Sequence, residues 1–338
     1  MTSDVIEISY TGDLLAHRRC PRAWSYEKYA RFRPYEQVQA MEGRLVHHAM
    51  EWLTRRYGDK KSHASVTELR EQLEKHFRVL WARGIRTAFS TKAEVLGRIT
   101  ERLFPNGTMH KTVKVAIEGA QHTEYELRAV RKLVKADFSG KSRLLLTGVL
   151  DLVVQQESPL VYARTWQWSD PENLVGDVVV KPTQASVGDL EIWDYKATRS
   201  NTHYLGDYVR QLLTYAALYE ERTGKTPVRC VLFFVNETRY EKQLLAVPID
   251  DTIVHHAVQW TIDQARLLRN TVLSFESNPL GVSGGDLALS SEPVGKRTTD
   301  ELRQQCTACG RRFDCDEYRT YLKSPNHPDI RLDNIEKN

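Results

Sequence analysis

A long apolar strand that contains one carboxylate constrains this chain more than any other feature. Residues 143–156 read RLLLTGVLDLVVQQ, so apolar side chains occupy both faces of the predicted strand and indicate a central position in a sheet. Asp151 interrupts this run. An ionised carboxylate buried without a partner costs several kcal/mol or becomes protonated. Asp151 therefore needs compensation, which either a divalent cation or a structural hydrogen bond or ion pair supplies.

The segments around this strand predict a mixed α/β fold. Periodicity and chain breaks predict helices over residues 13–20, 37–57, 66–81, 93–104, 109–118, 207–222 and 250–274. Strands are predicted over residues 125–134, 143–156, 190–197, 228–235 and 243–248. Residues 158–189 carry Pro, Gly and Asn between short β-prone pieces, which indicates an insertion. The order of elements is typical of a mixed sheet with a helical block inserted near the front.

The composition is that of a soluble globular chain. The 338 residues are 41% hydrophobic and 27% charged, and roughly 150 residues per domain predicts about two domains. No stretch approaches the ~18 to 20 apolar residues of a membrane helix, and the first residues are acidic and lack a signal-peptide core. We therefore expect a cytoplasmic protein without a membrane partner. The net charge of +4 permits nucleic-acid binding but does not argue for it.

Asp194 and Lys196 form a second charged pattern, in the predicted strand EIWDYKAT. Residues two apart in a strand share a face, and their Cα atoms lie roughly 6.6 Å apart. This geometry allows Asp194 to bind a divalent cation while Lys196 reaches a water on the same ion. A charge pair on a strand surface explains the same pattern.

Two predicted helices carry further candidates. Gln211 and Tyr215 lie at i and i+4 on one helix, either at a site or beside the apolar stripe of that helix. His47 and His48 both flank the apolar arc of an earlier helix. Gly43 precedes His47 by one turn and leaves open space there, which favours His47 over His48. A histidine at an apolar border is more often structural.

The cysteines predict a metal or cluster site. The chain has five, Cys20, Cys230, Cys306, Cys309 and Cys315, and three of them fall within ten residues. An odd number without a secretory signal does not indicate a disulfide framework, whereas such crowding is typical of metal ligands. Cys230 lies in a predicted strand and is expected to be buried and inert.

Taken together, these motifs resemble the RecB-like branch of the PD-(D/E)xK nucleases. The likeness is closest to the CRISPR-associated iron–sulfur exonucleases and to the nuclease domains of AddAB-type helicase–nucleases. The motifs occur in the family's order: Gly43-x3-His47, Gly148-x2-Asp151, Asp194-x-Lys196 and Gln211-x3-Tyr215, with Cys20-Pro21-Arg22 before them and Cys306, Cys309 and Cys315 after them. The proline that usually precedes the motif aspartate is missing here.

The resemblance implies a restriction-endonuclease-like fold, a mixed β-sheet core flanked by helices, and a metal-dependent active site. His47, Asp151 and Asp194 would bind Mg²⁺ or Mn²⁺, together with the backbone carbonyl of Tyr195. Lys196 would orient or deprotonate the attacking water and stabilise charge on the phosphate. These five residues form the expected catalytic centre.

The resemblance also implies contacts with DNA and a cluster. Gln211 and Tyr215 would brace the site and touch the DNA backbone. Arg199 is a candidate phosphate contact, and an exposed, solvated arginine explains its position equally well. Cys20, Cys306, Cys309 and Cys315 would hold a [4Fe–4S] cluster that joins the two ends of the chain. Zn²⁺ is the alternative, because four thiolates also suit zinc.

The expected organisation and function follow from this resemblance. We expect an N-terminal segment (1–36) with the first cluster cysteine, a helical region (37–120) with the histidine motif, a nuclease core (121–280) and a C-terminal cluster region (281–338). The expected activity is DNA hydrolysis, as an exonuclease on single strands or duplex ends, in DNA repair, recombination, or CRISPR or anti-phage defence. Expected partners are DNA and a helicase or defence proteins. The alternative is a catalytically weak DNA-binding or scaffold subunit of such a complex.

Overall fold

The structure is a computed structural model that describes residues 5–28, 39–85, 87, 90–132, 143–200 and 204–277. The chain divides into two compact units. The first comprises residues 1–11 and 36–265, and the second comprises residues 12–35 and 266–338. Among the described helices, none combines the length and the apolar character needed to cross a membrane.

Most of the helices lie where the periodicity predicts them, whereas the short helices over residues 21–28 and 240–243 were not predicted. The helices are α1 (Ala16–Arg19), α2 (Pro21–Lys28), α3 (Gln39–Lys60), α4 (Val66–Ala82), α5 (Lys92–Leu103), α6 (Lys111–Glu118), α7 (Leu205–Thr223), α8 (Tyr240–Gln243) and α9 (Asp251–Ser277). Helix α4 begins with a capping box of Ser65 and Glu68, and α5 with one of Thr91 and Glu94. Each box satisfies two backbone N–H groups that the first turn leaves without partners, so both starts are specified locally.

The strands form one large mixed sheet and one small ribbon. They are β1 (Val5–Ser9), β2 (Ala120–Lys132), β3 (Arg143–Gln155), β4 (Leu160–Tyr162), β5 (Thr165–Asp170), β6 (Val175–Val179), β7 (Thr183–Ala185), β8 (Leu190–Lys196), β9 (Arg229–Phe234) and β10 (Leu244–Pro248). The large sheet has the order β1-β3-β8-β9-β10-β5-β6, and β2 also pairs with β3. Strands β4 and β7 form the ribbon.

Strand β3 is central, as its apolar run predicts. It pairs with β1 in parallel through its first half, with β8 in antiparallel through its second half, and with β2 along almost its whole length. Leu150, Leu152, Val153 and Val154 are fully buried. Strand β1 was not predicted from the sequence, because a run as short as VIEIS carries little period-two signal of its own.

The predicted insertion, residues 158–189, contributes two strands to the large sheet. Strand β5 pairs in parallel with β10, and β6 pairs with β5, so both extend the edge of the large sheet. Trp166 is buried, and its ring meets that of Trp168 edge-on, with 5.9 Å between centroids. These rings pack within the hairpin, and only the β4–β7 ribbon lies outside the main sheet.

Helices α3 to α6 cover one face of the large sheet within the first unit. One continuous buried cluster joins Leu45, Leu69 and Ile99 of these helices with Trp193 and Tyr195 of β8. Because side chains alternate along a strand, Asp194 and Lys196 point to the opposite face, toward α7. Trp193 and Tyr195 pack against the apolar faces of these helices, so Asp194 and Lys196 lie on the other face of β8.

In the second unit, the described residues include a small polar core around α1 and α2. The Trp24 indole donates to Asp13 Oδ1 at 3.2 Å, and Lys28 Nζ lies 2.7 Å from the same oxygen. His17 Nε2 lies 2.8 Å from Thr271 Oγ1, and burial lowers the pKa of His17 to about 4. The core contains a neutral histidine.

Candidate functional site

Asp151 and the Asp194–Lys196 motif meet where β3 pairs with β8. The backbone N–H of Tyr195 donates to Asp151 Oδ2 at 2.7 Å. Both carboxylates, of Asp151 and Asp194, are buried. The register of the two strands thus brings together two motifs that are 43 positions apart in the sequence.

Helix α3 brings a histidine to the same carboxylate. His47 Nδ1 lies 3.1 Å from Asp151 Oδ1. Burial and the charge of Lys196 lower the pKa of His47, but the charge and hydrogen bond of Asp151, with the charge of Asp194, outweigh them and raise the pKa to about 9. A Cβ added at Gly43 would meet nothing within 4 Å, so the space predicted beside His47 is present.

The neighbouring His48 has a different environment. Its ring stacks on that of His76, with 3.8 Å between centroids and planes 7° apart. The structure therefore places His47, and not His48, against Asp151.

Lys196 is held by three groups. Its Nζ lies 2.6 Å from Asp194 Oδ2, 3.0 Å from Gln211 Oε1 and 4.4 Å from the centroid of the Tyr208 ring. Burial lowers the pKa of Lys196, but the charges of Asp194 and Asp151 reverse that effect and raise the pKa. Lys196 is therefore an ammonium ion in this arrangement, which suits stabilising a negative charge better than accepting a proton.

Helix α7 continues the chain of contacts from Lys196. Gln211 Nε2 donates to the Tyr215 hydroxyl at 3.1 Å, and both residues are buried. A Cβ added at Gly148 would lie 2.6 Å from Tyr215 Cε1. The glycine three residues before Asp151 thus leaves room for the Tyr215 ring, which explains why this position needs glycine.

Asp194 experiences opposing influences. Burial and the charge of Asp151 raise its pKa, whereas Lys196 and His47 lower it, and the net result is a pKa of about 6. Two buried carboxylates near one another repel, and a cation between or beside them relieves that repulsion.

Glu124 is a site residue that the sequence did not reveal. Ligand atoms of Glu124, His47 and Asp151 all lie within 4.8 Å of one another. Burial and the charge of Asp151 raise the pKa of Glu124 to about 7. The predicted strand began at Tyr125, one residue too late to include Glu124, and nothing local distinguishes it from other glutamates.

The remaining predicted residues lie away from this cluster or outside the described part. Arg199 is exposed, three residues beyond Lys196. Cys20 is partly exposed at the bend between α1 and α2, where the Ala23 backbone N–H donates to its Sγ at 3.4 Å. Cys230 is buried, as predicted. Cys306, Cys309 and Cys315 lie outside the described residues.

The donor set fits a hard divalent ion. One imidazole nitrogen and two carboxylates within 4.8 Å of one another suit Mg²⁺ or Mn²⁺, and the nitrogen favours Mn²⁺ slightly. His47 and Glu124 also line a cleft of about 520 Å³, so these two side chains are open to solvent, whereas Asp151 is buried behind them.

Comparison with known protein families agrees with this chemistry. Residues 12–166 match the family model of the PD-(D/E)XK nuclease superfamily. The match contains His47, Glu124 and Asp151 and ends before Asp194 and Lys196. No curated protein matches the chain. The mixed central sheet with flanking helices in the first unit is consistent with a restriction-endonuclease-like fold.

Proposed function

We propose that this protein is a metal-dependent nuclease that hydrolyses phosphodiester bonds in DNA. The observation that carries the proposal is the position of the Lys196 ammonium, 2.6 Å from Asp194 and one strand away from the His47–Asp151 pair. Such a cluster offers a cation for a phosphate oxygen beside ligands for a divalent ion. The match to the nuclease superfamily supports the same conclusion.

Different residues of the site would bind the metal ion, stabilise charge on the phosphate and orient the lysine. His47, Asp151 and Asp194 would hold the divalent ion, which would supply Lewis-acid polarisation of the scissile phosphate and activation of the attacking water. Lys196 stabilises the charge that develops on the phosphate, because a fixed ammonium in a partly buried site is worth more than one in water. Gln211 orients the Lys196 ammonium through its 3.0 Å contact, and Tyr215 orients Gln211 in turn.

The experiment that tests this proposal uses end-labelled DNA with Mn²⁺, with and without EDTA. We expect cleavage by the wild type in Mn²⁺ and none in EDTA. Lys196→Met should reduce the cleavage rate by roughly 10² to 10³-fold, which is the usual cost of losing one group that stabilises developing charge. The exposed Lys225→Met is the matched control and should cleave like the wild type. DNA binding without cleavage by the wild type would support the scaffold alternative instead.

We also propose that the enzyme is an exonuclease on single strands or duplex ends, in repair, recombination or defence. The resemblance of the motif set supports this finer assignment. A comparison of linear and circular substrates tests it, because an exonuclease degrades only the linear form. Equal rates on both would contradict it.

The cysteines carry a related proposal, that Cys20, Cys306, Cys309 and Cys315 hold a [4Fe–4S] cluster. Protein purified without oxygen should be brown and absorb broadly near roughly 400 nm, as expected for iron held by thiolates. Colourless protein with stoichiometric zinc would contradict the iron assignment and favour the zinc alternative.

A further inference from the structure

Glu124 occupies a special position on β2. The strand register pairs Thr123 with Leu152 and Tyr125 with Leu150, which puts Glu124 opposite Asp151. Glu124 has a φ of 49°, in the left-handed region that a residue with a Cβ seldom adopts. The strand thus departs from regular geometry beside the carboxylate at the centre of the site.

The surroundings of Glu124 separate it from the Asp194–Lys196 pair. Asp194 Oδ2 lies 2.6 Å from the Lys196 ammonium. The carboxylate of Glu124 instead lies within 4.8 Å of ligand atoms of His47 and Asp151. Asp151 uses Oδ2 to accept from the Tyr195 backbone and has Oδ1 beside His47. An imidazole and two carboxylates therefore converge on the cleft side of Asp151.

We infer that Glu124 is a ligand of the divalent cation, together with His47 and Asp151. This inference rests on the proposed nuclease function and adds a carboxylate to its metal centre. A divalent cation offsets the charges of the adjacent Glu124 and Asp151 carboxylates more completely than the single positive charge of His47 does. The oxygen and nitrogen donors fit Mn²⁺ or Mg²⁺.

A structural ion pair between Glu124 and His47 is the competing explanation, and the two differ in their effect on stability. If Glu124 only paired with His47, then Glu124→Gln would lower the melting temperature of the metal-free protein. If Glu124 is a ligand, the same substitution removes repulsion from Asp151, so the metal-free protein should melt at the same temperature or higher.

The experiment is a calorimetric titration of metal-free protein with Mn²⁺ alone, with melting curves recorded before and after addition. Glu124→Gln should weaken Mn²⁺ binding at least tenfold and reduce the rise in melting temperature that Mn²⁺ causes. Glu126→Gln is the matched control, because Glu126 lies two residues further along the same strand and is exposed. It should bind Mn²⁺ like the wild type.

Asp151→Asn separates failure of this inference from failure of the proposed function. If Asp151→Asn loses Mn²⁺ while Glu124→Gln binds it like the wild type, the metal centre stands and Glu124 is not a ligand. If Asp151→Asn also binds like the wild type, the metal centre itself is wrong. A metal-free Glu124→Gln protein that melts well below the wild type would likewise overturn the inference and favour the ion pair.

Discussion

Two buried carboxylates on β8, three residues apart, have opposite environments. Glu191 Oε2 accepts from the Gln156 amide at 2.6 Å, the Tyr162 hydroxyl at 2.6 Å and the Trp193 indole at 2.8 Å, and Arg229 Nε lies 3.0 Å from Oε1. Donors thus surround Glu191. Only burial raises the pKa of Glu191, and every neighbouring donor acts against that rise.

Asp194 differs because other carboxylates lie near it. Lys196 is its close partner, and the charge of Asp151 adds to burial in raising its pKa. Buried polar groups with complete hydrogen bonding stabilise and specify a fold, whereas like charges gathered in one place cost stability. We therefore interpret Glu191 as structural and the Asp194–Asp151–Glu124 group as functional.

The largest effect should come from Asp151→Asn. Loss of this carboxylate should reduce cleavage by about 10³-fold, equivalent to about 4 kcal/mol, since a metal supplies several kcal/mol of transition-state stabilisation. The melting temperature of the metal-free variant should change little, because the variant loses the repulsion between carboxylates together with the stabilising His47–Asp151 pair. Cleavage assays and melting curves check both parts. The exposed Asp59→Asn serves as the control. If Asp151→Asn were strongly destabilised, Asp151 would be structural like Glu191, and the contrast between the two groups of carboxylates would be wrong.

The second effect should come from Glu191→Ala and should have the opposite character. The substitution removes the ion pair with Arg229 and the oxygen that accepts three buried hydrogen bonds. The free energy of unfolding should therefore fall by about 3 kcal/mol. Urea denaturation measures this change, with the exposed Glu172→Ala as control. The fraction that remains folded should cleave DNA at the wild-type rate. A fully stable but inactive variant would show that Glu191 belongs to the active site.

Two glycines near the functional region sharpen the comparison further. Gly148→Ala should destabilise the protein by about 1 to 3 kcal/mol, because its Cβ would lie 2.6 Å from the Tyr215 ring. Gly43→Ala should instead stabilise α3 by about 0.5 to 1 kcal/mol, because nothing lies within 4 Å and alanine favours helices. Denaturant midpoints test both signs. Combining Gly148→Ala with Tyr215→Ala should recover part of the loss, and strict additivity would rule out this clash.

The smallest effect concerns pH. The pKa of His47 is raised from 6.5 to about 9, so its pairing with Asp151 stabilises the metal-free protein fully below pH 6.5 and is lost as pH rises to about 9. Because His47 is partly exposed, we expect a change of only about 1 kcal/mol. Unfolding measured from pH 7.5 to 9.5, above the range in which Glu124 titrates, should show this slope in the wild type and a much smaller one in His47→Gln. Mn²⁺ affinity should rise over the same range, because the metal displaces the His47 proton.

Local patterns in the sequence were enough to predict most of the fold. Period-two and helical patterns predicted β3 as a central strand, the helices from α3 to α7, and a shared face for Asp194 and Lys196, which the structure confirms. These features depend on the direction of successive side chains, which the backbone geometry of a strand or helix sets locally. The glycine before His47 likewise predicted open space that is present.

Tertiary structure decided the features that depend on distant pairing. The parallel contact of β5 with β10 made residues 165–179 part of the large sheet, which their local pattern did not predict. The register of β2 against β3 placed Glu124 opposite Asp151, and the ribbon and β9 surrounded Glu191 with donors. The sequence shows several carboxylates in or beside strands. Which of them is satisfied by donors and which lies beside another carboxylate depends on strand order and register, which long-range burial sets.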